Sequence, residues 1–380
     1  MEKDWNIGKF TFIDFICYCI DDQQRIPTIT DWNALFLFMR EQALLGVGFR
    51  GMERMKSEGV ELPREMVLKW FAVSEQIRQR DVEMNWRCVE LVKRLREDGF
   101  ECCVLKGQGN TLLYPDPYMR TSGDIDVWVS PLRLPRGGEK TIRDVKRKCE
   151  ERRIIVEYAR KEMPKAEVRC YHVEYEWKGV PVELHFMPGV MNNPFYNRRL
   201  QRWYAERMEE QCRHEVELPD GVGRIPVPTW KFNVVYQLAH LMHHFFDEGI
   251  GLRQMMDYFY LLQKVKDELL IDHGQLIITL RYLNLYQFAG AVMWVLHEVF
   301  GLEEEYYIVP PDEWRGKLLL EEIIKGGNFG HYSGLTNHSI GVKYILKIKR
   351  NLRFVRAYPA EALCEPLFRT WHFFWRLRHK

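Results

Sequence analysis

Apolar and polar positions recur with two different periods along this chain, and the change of period divides it. Up to about residue 98 the apolar residues return at intervals of three and four, the spacing of packed helices. Asp31 stands where it can cap a helix whose apolar face holds Trp32, Leu35, Phe36 and Met39. Pro63 opens another helix through Met66, Leu68, Trp70 and Phe71. A longer one covers Ser74 to Arg96, with Ile77, Val82, Trp86, Val89, Val92 and Leu95 on its inner face, and stops at Asp98-Gly99.

Between about 100 and 190 the period falls towards two. Cys102 to Leu105 is an apolar strand that ends on Lys106-Gly107-Gln108-Gly109. A helix-capable segment and a polar turn, Arg120 to Gly123, lead to a second strand, Asp124-Ile125-Asp126-Val127-Trp128-Val129. Pro131 to Gly138 is expected as a loop, and Glu139 to Arg153 as a charged helix burying Ile142, Val145 and Cys149. Ile154-Ile155-Val156 is expected as a short strand. Val168 to Trp177 and Val180 to Met187 flank Lys178-Gly179, a hairpin signal. In the second arm Val182, Leu184 and Phe186 share one face, and Glu183 and His185 the other.

Beyond Pro188 the helical period returns, with a connecting segment near Leu218 to Gly221. A helix from about Pro228 carries His240, His243 and His244; Gly249-Ile250-Gly251 breaks it, and the next helix carries Arg253 and Asp257. The expected fold is therefore α+β: a small mixed sheet with helices (99–190) between an N-terminal helical region (1–98) and a C-terminal helical domain (191–380). No internal repeat is evident.

Composition narrows the classes of function. A net charge of +2 with 28% charged residues excludes a strongly basic chain of the kind that tracks phosphate backbones. No apolar run reaches the roughly 18 residues that span a bilayer, and the first ten residues lack a signal-peptide core, so no membrane partner and a cytoplasmic location are expected. Nine scattered cysteines without a CxxC suggest idle thiols in a reducing compartment.

The chemistry gathers on the Asp-x-Asp strand. Asp124 and Asp126 point to one face while Ile125 and Val127 point into the protein. Two carboxylates so close repel by about 1 kcal/mol in water, and by about 4 kcal/mol at an effective dielectric of 20. A divalent metal is the first candidate to offset that cost. Lys106 follows a strand, and Gly107 and Gly109 allow close backbone approach to a phosphate.

Leu105-Lys106-Gly107, Tyr114-Pro115-Asp116-Pro117, Arg120, Gly123-Asp124-Ile125-Asp126-Val127 and Glu183-Leu184-His185 together resemble a little-characterised bacterial nucleotidyltransferase family of the polymerase-beta-like nucleotidyltransferase superfamily. The resemblance covers about residues 100 to 190 and extends loosely over the helical flanks. It implies a turn that holds nucleotide phosphates, an Asp-x-Asp pair for two magnesium ions, and a third carboxylate from a later strand. Carried onto this chain, Asp124 and Asp126 hold the nucleotide-bound Mg2+. Glu183 joins them at the Mg2+ that activates the acceptor hydroxyl, and can take its proton. Lys106, Gly107, Gln108, Gly109 and Gly123 face the triphosphate. Arg120 pairs with a phosphate or braces Asp124, His185 orients the site, and Arg253 lines the nucleotide cleft with Asp257.

Two departures stand out: the usual Gly-Ser or Gly-Gly turn is here Gly107-Gln108-Gly109, and the interval to the aspartates is longer than in many members. The implied activity is that of a nucleotidyltransferase, moving a nucleoside monophosphate from an NTP such as ATP to a hydroxyl or phosphate acceptor. A small molecule or sugar is the favoured acceptor. The alternatives are transfer to RNA or protein, as in toxins of the same superfamily, and a non-catalytic nucleotide-binding module. His240, His243 and His244 suit a structural or cleft-lining role better than zinc, which lacks a completing His-Asp doublet. The basic C-terminal segment is expected to be a helix with Trp371, Phe374 and Trp375 buried and its cations solvated, in preference to a nucleic-acid track.

Overall fold

The computed structural model of the chain describes residues 7–132, 142–267, 272–330 and 340–379. Four helices come first: α1 (Ile7–Ile20), α2 (Trp32–Glu41), α3 (Leu45–Ser57) and α4 (Arg64–Glu97). Strand β1 (Phe100–Leu105), helix α5 (Gly107–Thr111), strand β2 (Ile125–Pro131) and helix α6 (Ile142–Glu162) follow. Then come β3 (Glu167–Val168), β4 (His172–Trp177), β5 (Val180–His185), α7 (Pro194–Ala205), α8 (Met208–Arg213), β6 (Glu215–Glu217) and β7 (Arg224–Pro226). The rest is helical: α9 (Trp230–Asp247), α10 (Leu252–Asp267), α11 (His273–Tyr282), α12 (Tyr286–Phe300), α13 (Glu313–Gly326), α14 (Ile340–Leu352) and α15 (Pro359–Arg378). This is an α+β fold. No described helix is long and apolar enough to cross a membrane.

The elements form two compact units. One comprises residues 82–112, 122–243 and 360 onwards and contains the five-stranded sheet, ordered β1-β2-β5-β4-β3. Strand β2 runs antiparallel to β1 and parallel to β5, and β5 runs antiparallel to β4. The β4–β5 hairpin closes on Lys178 (φ 50°) and Gly179 (φ 80°), two successive left-handed residues, as a tight two-residue turn matched to strand twist requires. Ile125, Val127 and Val129 of β2 bury one sheet face against Leu91, Val92 and Leu95 of α4 and Ile155 and Ala159 of α6. On the opposite face Trp128 stacks on Phe232 of α9. Because side chains alternate along a strand, Asp126 shares that second face with Trp128.

The other unit comprises residues up to 81, 113–121 and 244–359. Trp70 is fully buried between Phe15 and Phe36, and its ring leaves no room for a Cβ on Gly48. Asp31 caps α2 by accepting from the amide of Ala34. In this unit Arg120 makes a two-pronged ion pair with Asp257, both bonds 2.8 Å, and Tyr114 donates to the same carboxylate at 2.7 Å.

Several expectations change. Ile154 to Val156 is no strand: α6 runs unbroken through Glu162, and its Ile154, Ile155 and Ala159 pack on the sheet at helical spacing. Three β-branched residues are a weak preference that this packing overrides. The same helix leaves Cys149 exposed; Glu139 to Thr141 and the side chains of Ile142 and Val145 lie outside the described residues. The two helices expected after Pro63 are one, α4, which leaves Leu68, Phe71 and Trp86 exposed. The first hairpin arm is split into β3 and β4, and Leu218 to Gly221 connects a two-stranded sheet, β6–β7. The terminal helix leaves Trp371 and Phe374 more than half exposed and only half-buries Trp375, which stacks on His379. Of its cations and those of α14, Arg350 pairs with Glu322, Lys347 with Asp247, Arg369 with Glu365 and Arg376 with Glu167, while Lys349 and Arg378 are exposed to solvent as expected. Lys380 and the side chain of Lys343 lie outside the described residues.

Candidate active site

In-register pairing builds the site. Across the parallel β2–β5 pair, Asp126 stands opposite Glu183, and Trp128 opposite His185. Asp124, just before β2, falls on the same face two residues upstream. Asp124, Asp126 and Glu183 each bring a carboxylate oxygen to within 4.8 Å of the others, the spacing of ligands around one cation.

Around Asp126 the charges are interlocked. Lys106 Nζ lies 3.0 Å from its Oδ2, and His185 Nε2 lies 2.9 Å from its Oδ1. His185 Nε2 is also 3.0 Å from Glu183 Oε2. Lys106 in turn donates to His240 Nε2 at 3.2 Å. Burial by itself would raise the Asp126 pKa, but Lys106, His185 and His240 outweigh it and hold the carboxyl well below its usual range. Burial opposes a charge on His185 as well, yet its bonds to Asp126 and Glu183 carry its pKa up to about 9. Asp124 lacks comparable support. Burial and the neighbouring Asp126 charge push its pKa up to about 6, with Lys106 only partly offsetting them.

The donor set fits a divalent metal. Three hard oxygen donors converge, and Asp124 is held against the Asp126 charge, a repulsion that a cation would relieve.

Lys106 joins β1 to α5 with φ 49° and ψ −131°, a backbone conformation that side chains rarely adopt. Such strain persists only where the surroundings fix it, and here β1 and the Asp126 and His240 contacts do so. Gly107 follows at φ 41°. Gln108 points inward, where its amide donates to Asn85 Oδ1 at 2.6 Å and its carbonyl accepts from Ser122 Oγ at 2.8 Å. A Cβ on Gly109 would lie 3.1 Å from Val227, so packing already accounts for that glycine. A Cβ on Gly123 would meet nothing within 4 Å.

The remaining sequence-derived residues divide between the units. Arg120 and Arg253 belong with Asp257 in the unit that lacks the sheet, and Arg253 Nη1 donates to the Thr121 carbonyl at 2.6 Å. Arg120 thus has a carboxylate partner, Asp257, in its own unit. His240, His243 and His244 diverge: His240 meets Lys106, His243 packs on Tyr171, and His244 faces Phe329. None of the three enters a metal-capable group among the described residues.

His172 is the residue that sequence reasoning missed. It lies opposite His185 in the β4–β5 pair, as Glu174 lies opposite Glu183. Its Nε2 donates to Glu174 Oε1 at 2.9 Å, and its Nδ1 is 3.2 Å from Glu183 Oε2. A signal for it existed, because counting back from a two-residue turn at Lys178-Gly179 pairs His172 with His185.

Set beside known families, residues 28–301 match the one described as uncharacterised nucleotidyltransferase. No curated protein and no solved structure matches the chain.

Proposed function

Because the chain belongs to the uncharacterised nucleotidyltransferase family, we propose that it moves a nucleoside monophosphate from an NTP, ATP among them, to a hydroxyl or phosphate acceptor with the help of divalent metal. The observation that carries this reading is the register of Asp126 against Glu183, with Asp124 beside them.

In the reaction, the acceptor oxygen bonds to the α-phosphorus as the bond from that phosphorus to the bridging oxygen of pyrophosphate breaks. The acceptor's proton passes to a carboxylate within reach, a role we give to Glu183. Asp124 and Asp126 would hold one magnesium ion, and Glu183 would join them at a second divalent ion. When bound, such ions neutralise charge on the triphosphate and on the leaving pyrophosphate.

The chain's own groups do the rest. Lys106 offers a fixed cation at the end of β1, and its contact with Asp126 holds it at the carboxylates where a phosphate would lie. His185 fixes the orientation of Asp126. The left-handed turn at Lys106 and Gly107 carries the backbone from β1 past Asp124, close enough for amides to approach a phosphate. A small molecule or sugar acceptor is favoured because the net charge is near zero and several cations of the basic C-terminal segment are ion-paired.

Incubation with each α-labelled nucleotide, magnesium and a cell extract tests the reading. Label is expected in a low-mass product and absent with Asp126→Ala. Label in RNA or protein would replace the acceptor class, and no incorporation from any nucleotide would overturn the transfer itself.

A further inference from the structure

We propose that His172 Nδ1, His185 Nε2 and a Glu183 oxygen form a second, nitrogen-bearing metal position, which takes a transition-metal dication such as Mn2+, Co2+ or Zn2+. The inference deepens the proposed function and rests on it through Glu183, the ligand that the nitrogen-bearing and all-oxygen positions share.

Two acceptors face one another at His172 and Glu183. His172 Nε2 meets the Glu174 carboxylate at 2.9 Å and must donate to it, because a carboxylate only accepts. In the neutral ring this leaves a lone pair on Nδ1, which is buried and has no hydrogen-bond partner. That lone pair lies 3.2 Å from Glu183 Oε2, itself an acceptor. Two acceptors at that distance repel unless a cation lies between them.

The second imidazole completes the geometry. His185 Nε2 is 3.0 Å from the same Glu183 oxygen and, in the metal-free protein, carries the proton it donates to Asp126. The ion would take the place of that proton, because a ligating nitrogen must be deprotonated. The two histidines are direct partners across the hairpin. Ligands about 2.1 Å from an ion lie about 3.0 Å apart along an octahedral edge and about 3.4 Å apart along a tetrahedral one. The 3.0 and 3.2 Å separations fall within that interval. The three ligand atoms lie within 4.8 Å of one another.

The surroundings of His172 match those of a ligating histidine. A metal-bound imidazole commonly donates its other N–H to a carboxylate, which fixes the ring and its tautomer. Glu174 does this for His172 and is held in turn by Arg169 at 2.8 Å. A purely orienting role would need one histidine beside Asp126 and Glu183. Here there are two, and the second contacts Glu174 and Glu183.

The donor set decides the ion. Magnesium takes hard oxygens and keeps much of its water, whereas imidazole nitrogen favours later transition-metal dications such as zinc and cobalt, with manganese binding such a mixed site more weakly. The centre would then pair an oxygen-only position at Asp124 and Asp126 with a nitrogen-bearing one at His172 and His185.

The test is metal binding by the full-length, metal-free protein without nucleotide. One equivalent of Co2+ should bind with visible ligand-field absorption, and excess Mg2+ should not displace it. His172→Ala should weaken Co2+ at least about tenfold, as loss of a ligand or its orienting partner does, while Asp124→Asn leaves it in place. Bound Mn2+ in the unaltered protein should show nitrogen coupling in pulsed electron paramagnetic resonance, which needs no variant to fold. Equal Co2+ affinity with and without His172, or Mn2+ without nitrogen coupling, overturns the proposal. Nitrogen-coupled metal in a protein that transfers no nucleotide supports this site and sinks the proposed reaction. Transfer in magnesium without nitrogen coupling does the reverse.

Discussion

Asp126 and Glu183 face each other in register across the parallel β2–β5 pair, and Lys106 binds Asp126 from the neighbouring end of β1. Two strands far apart in the chain therefore deliver their acids to one point. Asp126→Asn should keep the fold, because the amide can still accept from His185, yet lower transfer by at least about a hundredfold, the scale of losing one fixed charge-stabilising group. Initial rates with a saturating nucleotide check this, with circular dichroism as the control for folding. Near-normal rates would remove Asp126 from the mechanism.

Asp124 should trade stability for function. Its pKa in the fold is about 6, raised from 3.8 by burial and by Asp126. A raised carboxyl binds its proton more tightly in the folded state, so the fold gains stability as pH falls through 6 towards 3.8 and carries the full cost above 6. In metal-free protein at pH 8, Asp124→Asn should therefore stabilise, on the order of 1 to 3 kcal/mol, and the gain should vanish below pH 4. Thermal melts across that range with a chelator present measure it. A variant less stable at pH 8 than at pH 4, relative to the parent, contradicts the assignment.

Gln108 stands in the Gly107-Gln108-Gly109 segment after β1, and the structure gives it a bonding task inside the protein. Its amide ties Asn85 to Ser122 inside the sheet-containing unit. Gln108→Ser should then cost about 2 kcal/mol, because the buried Asn85 and the part-buried Ser122 lose their partner. Urea unfolding reports the loss. An unchanged midpoint together with tighter nucleotide binding would mean that serine restores a phosphate contact instead.

Asp257 balances a buried guanidinium. Removing it in Asp257→Ala leaves Arg120 charged and unpaired, which costs about 3 to 5 kcal/mol for a buried pair. Replacing both, as Arg120→Met with Asp257→Leu, should recover much of that loss. A double variant as unstable as the single one would show that the pair does more than neutralise charge.

Much of the architecture could be read from periodicity. The change from a period near 3.6 to one near 2 marked the passage from helices to sheet, and alternation placed Asp124 and Asp126 on one face. Periodicity failed where it had to choose which face meets protein. Phe71, Trp86 and Trp371 sit at helical spacings compatible with burial, yet they are exposed, because only the packing of neighbours selects the buried face. It failed also at Ile154 to Val156, where residue preference favoured a strand and contact with the sheet made a helix.

The residues of the site follow the same division. By itself the sequence determined the two aspartates on one face, the cation after β1 and the two-residue turn, since each depends on local geometry. Only the tertiary structure decided that β5 lies parallel to β2 with Glu183 opposite Asp126, and that His172 and His185 converge on one carboxylate oxygen. The physical reason is that strand register is a relation between distant segments. It is set by which apolar faces bury together, and a change of one residue would have turned Glu183 into the core.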